Sequence, residues 1–131
     1  MPKLTDAQAA LFLEPNYAAV TTLRRDGSPH TTVTWVDWDG EHVIFNTNED
    51  RLKPKHLRRD PRVNVTAIDR DDPYRWVSVS GPVELTHEGA NEHIDKMAMK
   101  YRGKERYDLK PGEQRVVVRV RPERVTPYGV D

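Results

Sequence analysis

Between Arg51 and Arg62 the chain places six basic residues, Arg51, Lys53, Lys55, Arg58, Arg59 and Arg62, against a single acid, Asp60. The preceding stretch, Asp37 to Asp50, holds five acids and no Lys or Arg. The whole chain is neutral, with 21 Lys plus Arg against 21 Asp plus Glu. The local excess therefore comes from where the cations sit, not from the overall balance. Arg offers a planar fork of donors and Lys a mobile point charge, and together they suit a phosphate. A helix beginning near Pro54 would add free backbone N–H groups and the positive end of its dipole. The same run also reads as a solvated helix face, with Arg58 and Arg59 in water. RNA binding is a third reading, although no RNA-module motif accompanies the run.

Trp35, Trp38, Tyr74 and Trp76 fall on expected strands or their ends. They could wall a flat heterocycle by stacking, or pack a core or a subunit interface. The five histidines, His30, His42, His56, His87 and His93, show no metal-ligand spacing. Asp37 and Asp39 could share a strand face as paired carboxylates, but Asp39 beside Gly40 reads better as a turn residue. No phosphate-binding loop, dinucleotide fingerprint or serine-hydrolase elbow occurs. Cysteine is absent, so disulfides, thiolate nucleophiles, iron–sulfur clusters and cysteine-bearing zinc sites drop out. The neutral balance argues against a general nucleic-acid or membrane coat. With no long apolar run and no signal-like start, a cytoplasmic location is expected.

These residues need elements to position them. The 131 residues suit one domain, taken as 1–131. At 36% hydrophobic and 32% charged, the core is lean, as when burial is completed in a partner subunit. Thr5 or Asp6 caps a short helix, with Leu4, Ala7 and Leu11 at helical spacing and Pro15 ending it. Ala18 to Leu23 is a strand, followed by a turn at Arg25-Asp26-Gly27-Ser28. His30 to Trp38 is a second strand and His42 to Thr47 a third, hairpin-linked at Asp39-Gly40 to form a meander. A short helix from Pro54 ends near Asp60-Pro61. Val63 to Asp69 and Tyr74 to Thr86 are further strands, with a bulge or edge at Gly81-Pro82. Ala90, Ile94, Met97, Ala98 and Tyr101 line one face of a helix spanning Glu88 to Tyr101. The last clear strand points Val116, Val118 and Val120 one way, and Arg115, Val117, Arg119 and Arg121 the other. Arg124 to Val130 follows as an extended tail. At least six short strands with helices outside them predict a mainly β fold, an antiparallel barrel that removes its own edges.

The order of parts resembles a known superfamily. T-L-R-R-D-G-S-P-H at Thr22 to His30 leads to F-N-T-N-E-D-R-L-K-P-K-H-L-R-R-D-P-R-V at Phe45 to Val63, and S-V-S-G-P-V runs from Ser78 to Val83. This is similar to the split β-barrel flavin and deazaflavin oxidoreductases, which include the pyridoxamine 5′-phosphate oxidases. It is closest to their F420-dependent branch, whose R-x-K-x-[RK]-N-L-R-R-D-P-R segment is followed here with His56 where Asn is usual. The resemblance implies a homodimer with cofactor grooves at the subunit interface. Lys53 matches the lysine on the cofactor phosphate, with Arg51 and Lys55 as its basic neighbours and His56 beside them. Asn46 and Thr47 match positions beside the cofactor. Thr32, Val33 and Thr34 match the strand along the tricyclic ring. Trp76 and Tyr74 match the position from which the other subunit covers the site, and Trp35 and Tyr74 border the substrate pocket.

F420 is the expected cofactor, with FMN as the alternative. Arg58 and Arg59 would suit the longer acidic tail of F420. The expected reaction is hydride transfer from reduced deazaflavin to a small unsaturated organic acceptor. A non-catalytic F420 or flavin carrier is the competing class.

Overall fold

The computed structural model describes residues 3–131. The chain opens with α1 (Asp6–Leu13). The Thr5 hydroxyl accepts from the Gln8 backbone N–H, and the Gln8 side chain accepts from the Thr5 N–H. This reciprocal cap satisfies two N-terminal donors. Gln8, Leu11 and Phe12 turn inward at i, i+3, i+4 spacing. Ala7, expected on the buried face, is exposed, because it lies one step round the helix from that stripe.

β1 (Ala18–Leu23) and β2 (Pro29–Thr34) form a hairpin closed by Gly27, whose φ of 84° suits a residue without Cβ. The strand expected from His30 to Trp38 is broken after Thr34. β3 (Asp37–Trp38) belongs to a second sheet, where it pairs with β4 (Val43–Asn48). The expected meander is thus two separate hairpins. The break has a physical cause at Val36, whose backbone is held by side chains of a later helix instead of a strand. Its N–H donates to the Tyr101 hydroxyl at 2.9 Å, and its carbonyl accepts from Lys100 Nζ at 2.5 Å.

α2 (Leu52–Arg59) starts at N-cap Arg51, ahead of Pro54. β5 (Val63–Ile68) and β6 (Trp76–Gly81) return to the first sheet, and β7 (Val83–Thr86) lies in the second. The strand expected from Tyr74 to Thr86 is therefore two strands in different sheets. α3 (Ala90–Arg102) buries Ala90, Ile94, Met97 and Ala98 and ends at Gly103, in the left-handed conformation at φ 67°. β8 (Arg115–Val120) sits in the second sheet. The expected tail is a full strand, β9 (Arg124–Tyr128), paired with β6.

The two antiparallel sheets have orders β2-β1-β5-β6-β9 and β3-β4-β8-β7. They do not close into one continuous barrel, and the architecture is a split β-barrel. Two sheet changes cross at one corner. Arg121 N–H donates to Pro82 O at 3.0 Å, and Glu123 N–H donates to Ser80 O at 2.9 Å. Pro82 and Pro122 bring no N–H to the ladder, so both strands end there. Phe12, Val20, Phe45, Val65, Val79 and Val118 fill the space between the sheets. Ile44 and Val117 face the other way, under Ala90 of α3. β4 is consequently buried on both faces, although it carries Asn46 and Thr47. Among the described residues no helix is long and apolar enough to cross a membrane.

Candidate functional site

β2 is an outer strand of its sheet, and its free edge borders a cleft of about 330 Å³. Thr32, Val33, Thr34 and Trp35 supply this wall. Asn46 and Thr47 come from the end of β4, and Arg51 and Lys53 from the start of α2. Alternation divides β2. Thr32 and Thr34 pair with the buried Val20 and Ala18, while Val33 pairs with Ala19 on the outer face.

Lys53 is 8% exposed, and its Nζ donates to Thr32 Oγ1 at 2.8 Å. Among the described residues no carboxylate pairs with it. Burial, then the like charges of Arg51 and Arg115, push its pKa below the ordinary lysine value. A buried ammonium near two other cations can receive an anion.

Arg115 opens β8 and is 7% exposed. Its Nε donates to Asn46 Oδ1 at 2.9 Å and its Nη1 to Glu113 Oε2 at 2.7 Å, while its guanidinium lies 5.0 Å from the Tyr107 ring centre. The far end of the cleft is aromatic. Trp35 stacks on Tyr101 at 5.1 Å and 6°, meets the edge-on Tyr107 at 6.2 Å, and carries the Arg102 guanidinium 4.9 Å from its ring centre. Ile94 and Met97 of α3 add apolar lining. Four cations, Arg51, Lys53, Arg102 and Arg115, line the cleft, and no carboxylate does so among the described residues.

Arg102, Tyr107 and Arg115 were not among the sequence candidates. Arg115 had a readable signal, a charge heading a strand of consecutive valines. Tyr107 had none, since its loop carries no period. Its placement depends on Asp95 Oδ1 accepting from the Tyr107 N–H at 2.8 Å.

The rest of the basic run turns elsewhere. Lys55 is exposed and does not line the cleft. His56 is buried away from it, with Nδ1 2.8 Å from Thr22 Oγ1 and its ring edge-on to His30 at 5.2 Å, so it docks α2 on β1. Arg58 pairs with Glu49, Arg59 donates to Leu23 O at 2.8 Å, and Arg62 pairs with Asp60. Arg58 and Arg59 are thus neither cleft cations nor free charges in water. Trp76 and Tyr74 do not line this chain's own cleft either. Trp76 stacks on Tyr128 at 5.6 Å on the outer face of the five-stranded sheet, and Tyr74 is 73% exposed. Asp39 accepts from the N–H groups of Glu41 and His42 as a turn residue, whereas Asp37 is buried, so the two are not a carboxylate pair.

Residues 4–129 match the family described as pyridoxamine 5′-phosphate oxidase. A curated relative is a biliverdin reductase dependent on reduced F420, from Mycobacterium tuberculosis. It is 30% identical over 125 residues, which cover 94% of this chain and 87% of that protein. A solved structure called F420 reductase is 28% identical with a TM-score of 0.81, covering 94% of this chain and 98% of that one. General stress protein 26 of Bacillus anthracis shares the fold alone, at 14% identity and a TM-score of 0.73 over 96% of this chain and 94% of that one.

Proposed function

The chain belongs to the pyridoxamine 5′-phosphate oxidase family, and from that premise we propose that it is an oxidoreductase that uses reduced F420 to reduce a small unsaturated organic acceptor. The observation that carries this reading is Lys53, buried without a carboxylate partner among the described residues and set with Arg51 and Arg115 beside the free edge of β2. F420 and FMN both join a flat tricycle to a phosphate-bearing tail, and this donor set fits both parts. The naming of two relatives for F420 favours F420 over FMN.

In this reading Lys53, Arg51 and Arg115 neutralise the phosphate. Thr32, Val33 and Thr34 lie along the ring, with Asn46 and Thr47 beside it. When bound, the reduced cofactor supplies a hydride. Ile94 and Met97 exclude water from the cleft, which strengthens every charge interaction inside it. Trp35, Tyr107 and the exposed Arg102 border the space left for the acceptor, so they orient it rather than react with it.

The same reading makes the protein a homodimer through the outer face of the five-stranded sheet. Val33, Ala19, Thr66, Ser78 and Thr126 form one cross-strand row there, and Ile68, Trp76 and Tyr128 another. Val33 is 69% exposed and Tyr128 54%. Small residues beside an exposed apolar row suit a flat, self-complementary contact. Trp76 and Tyr74 would then reach the partner's cleft.

Parallel fluorescence titration with F420 and FMN tests the cofactor, followed by an acceptor screen with the reduced form. Tighter F420 binding with turnover is the expected result. Preferential FMN binding would move the chain to the flavin side of its family, and tight F420 binding without turnover of any acceptor would make it a carrier.

A further inference from the structure

Behind the cleft runs a chain of polar side chains whose hydrogen-bond directions are fixed at both ends. Arg115 Nε can only donate, so the Asn46 atom 2.9 Å from it must be the oxygen. Ala90 O can only accept, so the Asn46 atom 2.9 Å from it must be the amide nitrogen. Two independent partners therefore set the orientation of the Asn46 amide. Its second N–H points at His93 Nδ1, 3.1 Å away, and that nitrogen must be a bare acceptor. The imidazole proton then sits on Nε2, 3.1 Å from Asp37 Oδ2. Asp37 is 3% exposed. Burial alone would raise its pKa, but hydrogen bonds from His93, the Trp38 backbone and Lys96 hold it well below the usual carboxylate range.

The arrangement has no slack. A second proton on His93 would set Nδ1–H against the Asn46 N–H. Turning the amide over would then oppose its nitrogen to Arg115 Nε–H and its oxygen to Ala90 O. Either way buried polar groups lose their partners. We propose that His93 is a positioning residue: neutral and protonated on Nε2, it holds Asn46, and through Asn46 the Arg115 guanidinium, in anion-binding geometry, and its protonation releases that hold. This deepens the reading of the cleft as an anion site and rests on it.

The charged and titratable groups facing His93 are few. Asp37 faces it from β3, and Arg115 stands behind Asn46 on β8. On its own helix, Lys96 shares Asp37 at 3.0 Å, and Lys100 and Tyr101 also feel the Asp37 charge. Acidification alone would add positive charge around the cleft and strengthen anion binding. The relay predicts the reverse, and this opposition makes it testable.

The test uses the 131-residue chain labelled with nitrogen-15, with sulfate as the probe because sulfate keeps its charge across the working range. Long-range imidazole spectra at about pH 7.5 should show His93 neutral with its proton on Nε2. Sulfate affinity, followed through the Arg115 Nε–H signal, should fall about fivefold between about pH 7.5 and about pH 5.5, equivalent to ~1 kcal/mol. His93→Gln can donate through Nε2 and accept through Oε1. It should keep the neutral-pH affinity within about twofold and lose the acid response. His93→Leu should lose both. A proton on Nδ1 at neutral pH would overturn the proposal. So would an affinity that rises on acidification equally in the wild type and His93→Gln, a result that also decides the matter if His93→Leu does not fold. Failure of F420 and FMN to bind, with the tautomer and the acid response as described, would sink the proposed function and leave the relay standing.

Discussion

Replacing Lys53 by Met keeps the aliphatic stem and removes only the ammonium. In the cofactor-free protein that ammonium has one hydrogen bond, to Thr32, and no carboxylate partner among the described residues. Its loss costs about 1 kcal/mol for the bond. Against this stands the relief of burying a charge near Arg51 and Arg115, the causes that lower its pKa. The two effects oppose each other, so the melting temperature should stay within about 4 °C of wild type or rise. A lowered lysine pKa means that the charged form is disfavoured in the native state at neutral pH. Wild-type stability relative to the variant should therefore improve as pH climbs from the folded pKa toward the ordinary value of about 10.4. Cofactor affinity should move the other way. Loss of a charge-assisted bond to phosphate is worth ~1.5–3 kcal/mol, or roughly a 10- to 150-fold rise in Kd. Thermal denaturation of the free protein and fluorescence titration of the cofactor read the two quantities separately. A melting temperature lowered by about 8 °C or more with affinity intact would make Lys53 a structural lysine and refute the reasoning.

Other perturbations probe the frame around the cleft. Burial, then His30, Arg59 and Arg24, push the His56 imidazole below its ordinary pKa. The native state resists that proton, so stability should fall as pH drops through about 6.5, and His56→Asn should flatten this dependence in urea denaturation. An unchanged slope would assign the effect to other groups. Gly81→Ala would place its Cβ 1.7 Å from Arg121 O, and should lower stability by about 2–4 kcal/mol in chemical denaturation. A neutral result would mean that the corner shifts freely. The proposed dimer predicts that the wild type runs as a dimer by light scattering and Trp76→Glu as a monomer, with circular dichroism unchanged. A persistent dimer would place the interface elsewhere.

The strands that alternate cleanly were legible. β1 has the limits expected for it, and β8 divides its valines and arginines as read, because period-two patterning is local. Sheet membership was not local. His30 to Trp38 reads as one strand from its residue types. The break at Val36 is made by Tyr101 and Lys100, far along the chain. The tail from Arg124 had no alternation to announce it, yet it pairs along the length of β6. The β2 and β4 residues and the pair Arg51 and Lys53, to which the family resemblance pointed, line the cleft, whereas the basic run was read as one surface. A helix turns successive residues by about 100°. Lys53 therefore faces the cleft while His56 docks on β1 and Lys55 points outward.

By itself the sequence determined the antiparallel β character, the concentration of cations near Arg51 and the residue types beside them. Each of these is written in neighbours a few positions apart. Only the tertiary structure decided which cations face inward and which are spent on Glu49 and Asp60. It also decided that Arg115, Asn46, His93 and Asp37, from four different elements, share one chain of hydrogen bonds. Hydrogen-bond partners and burial are set by which elements meet, and the meeting here depends on strands changing sheets at corners such as Val36 and Gly81.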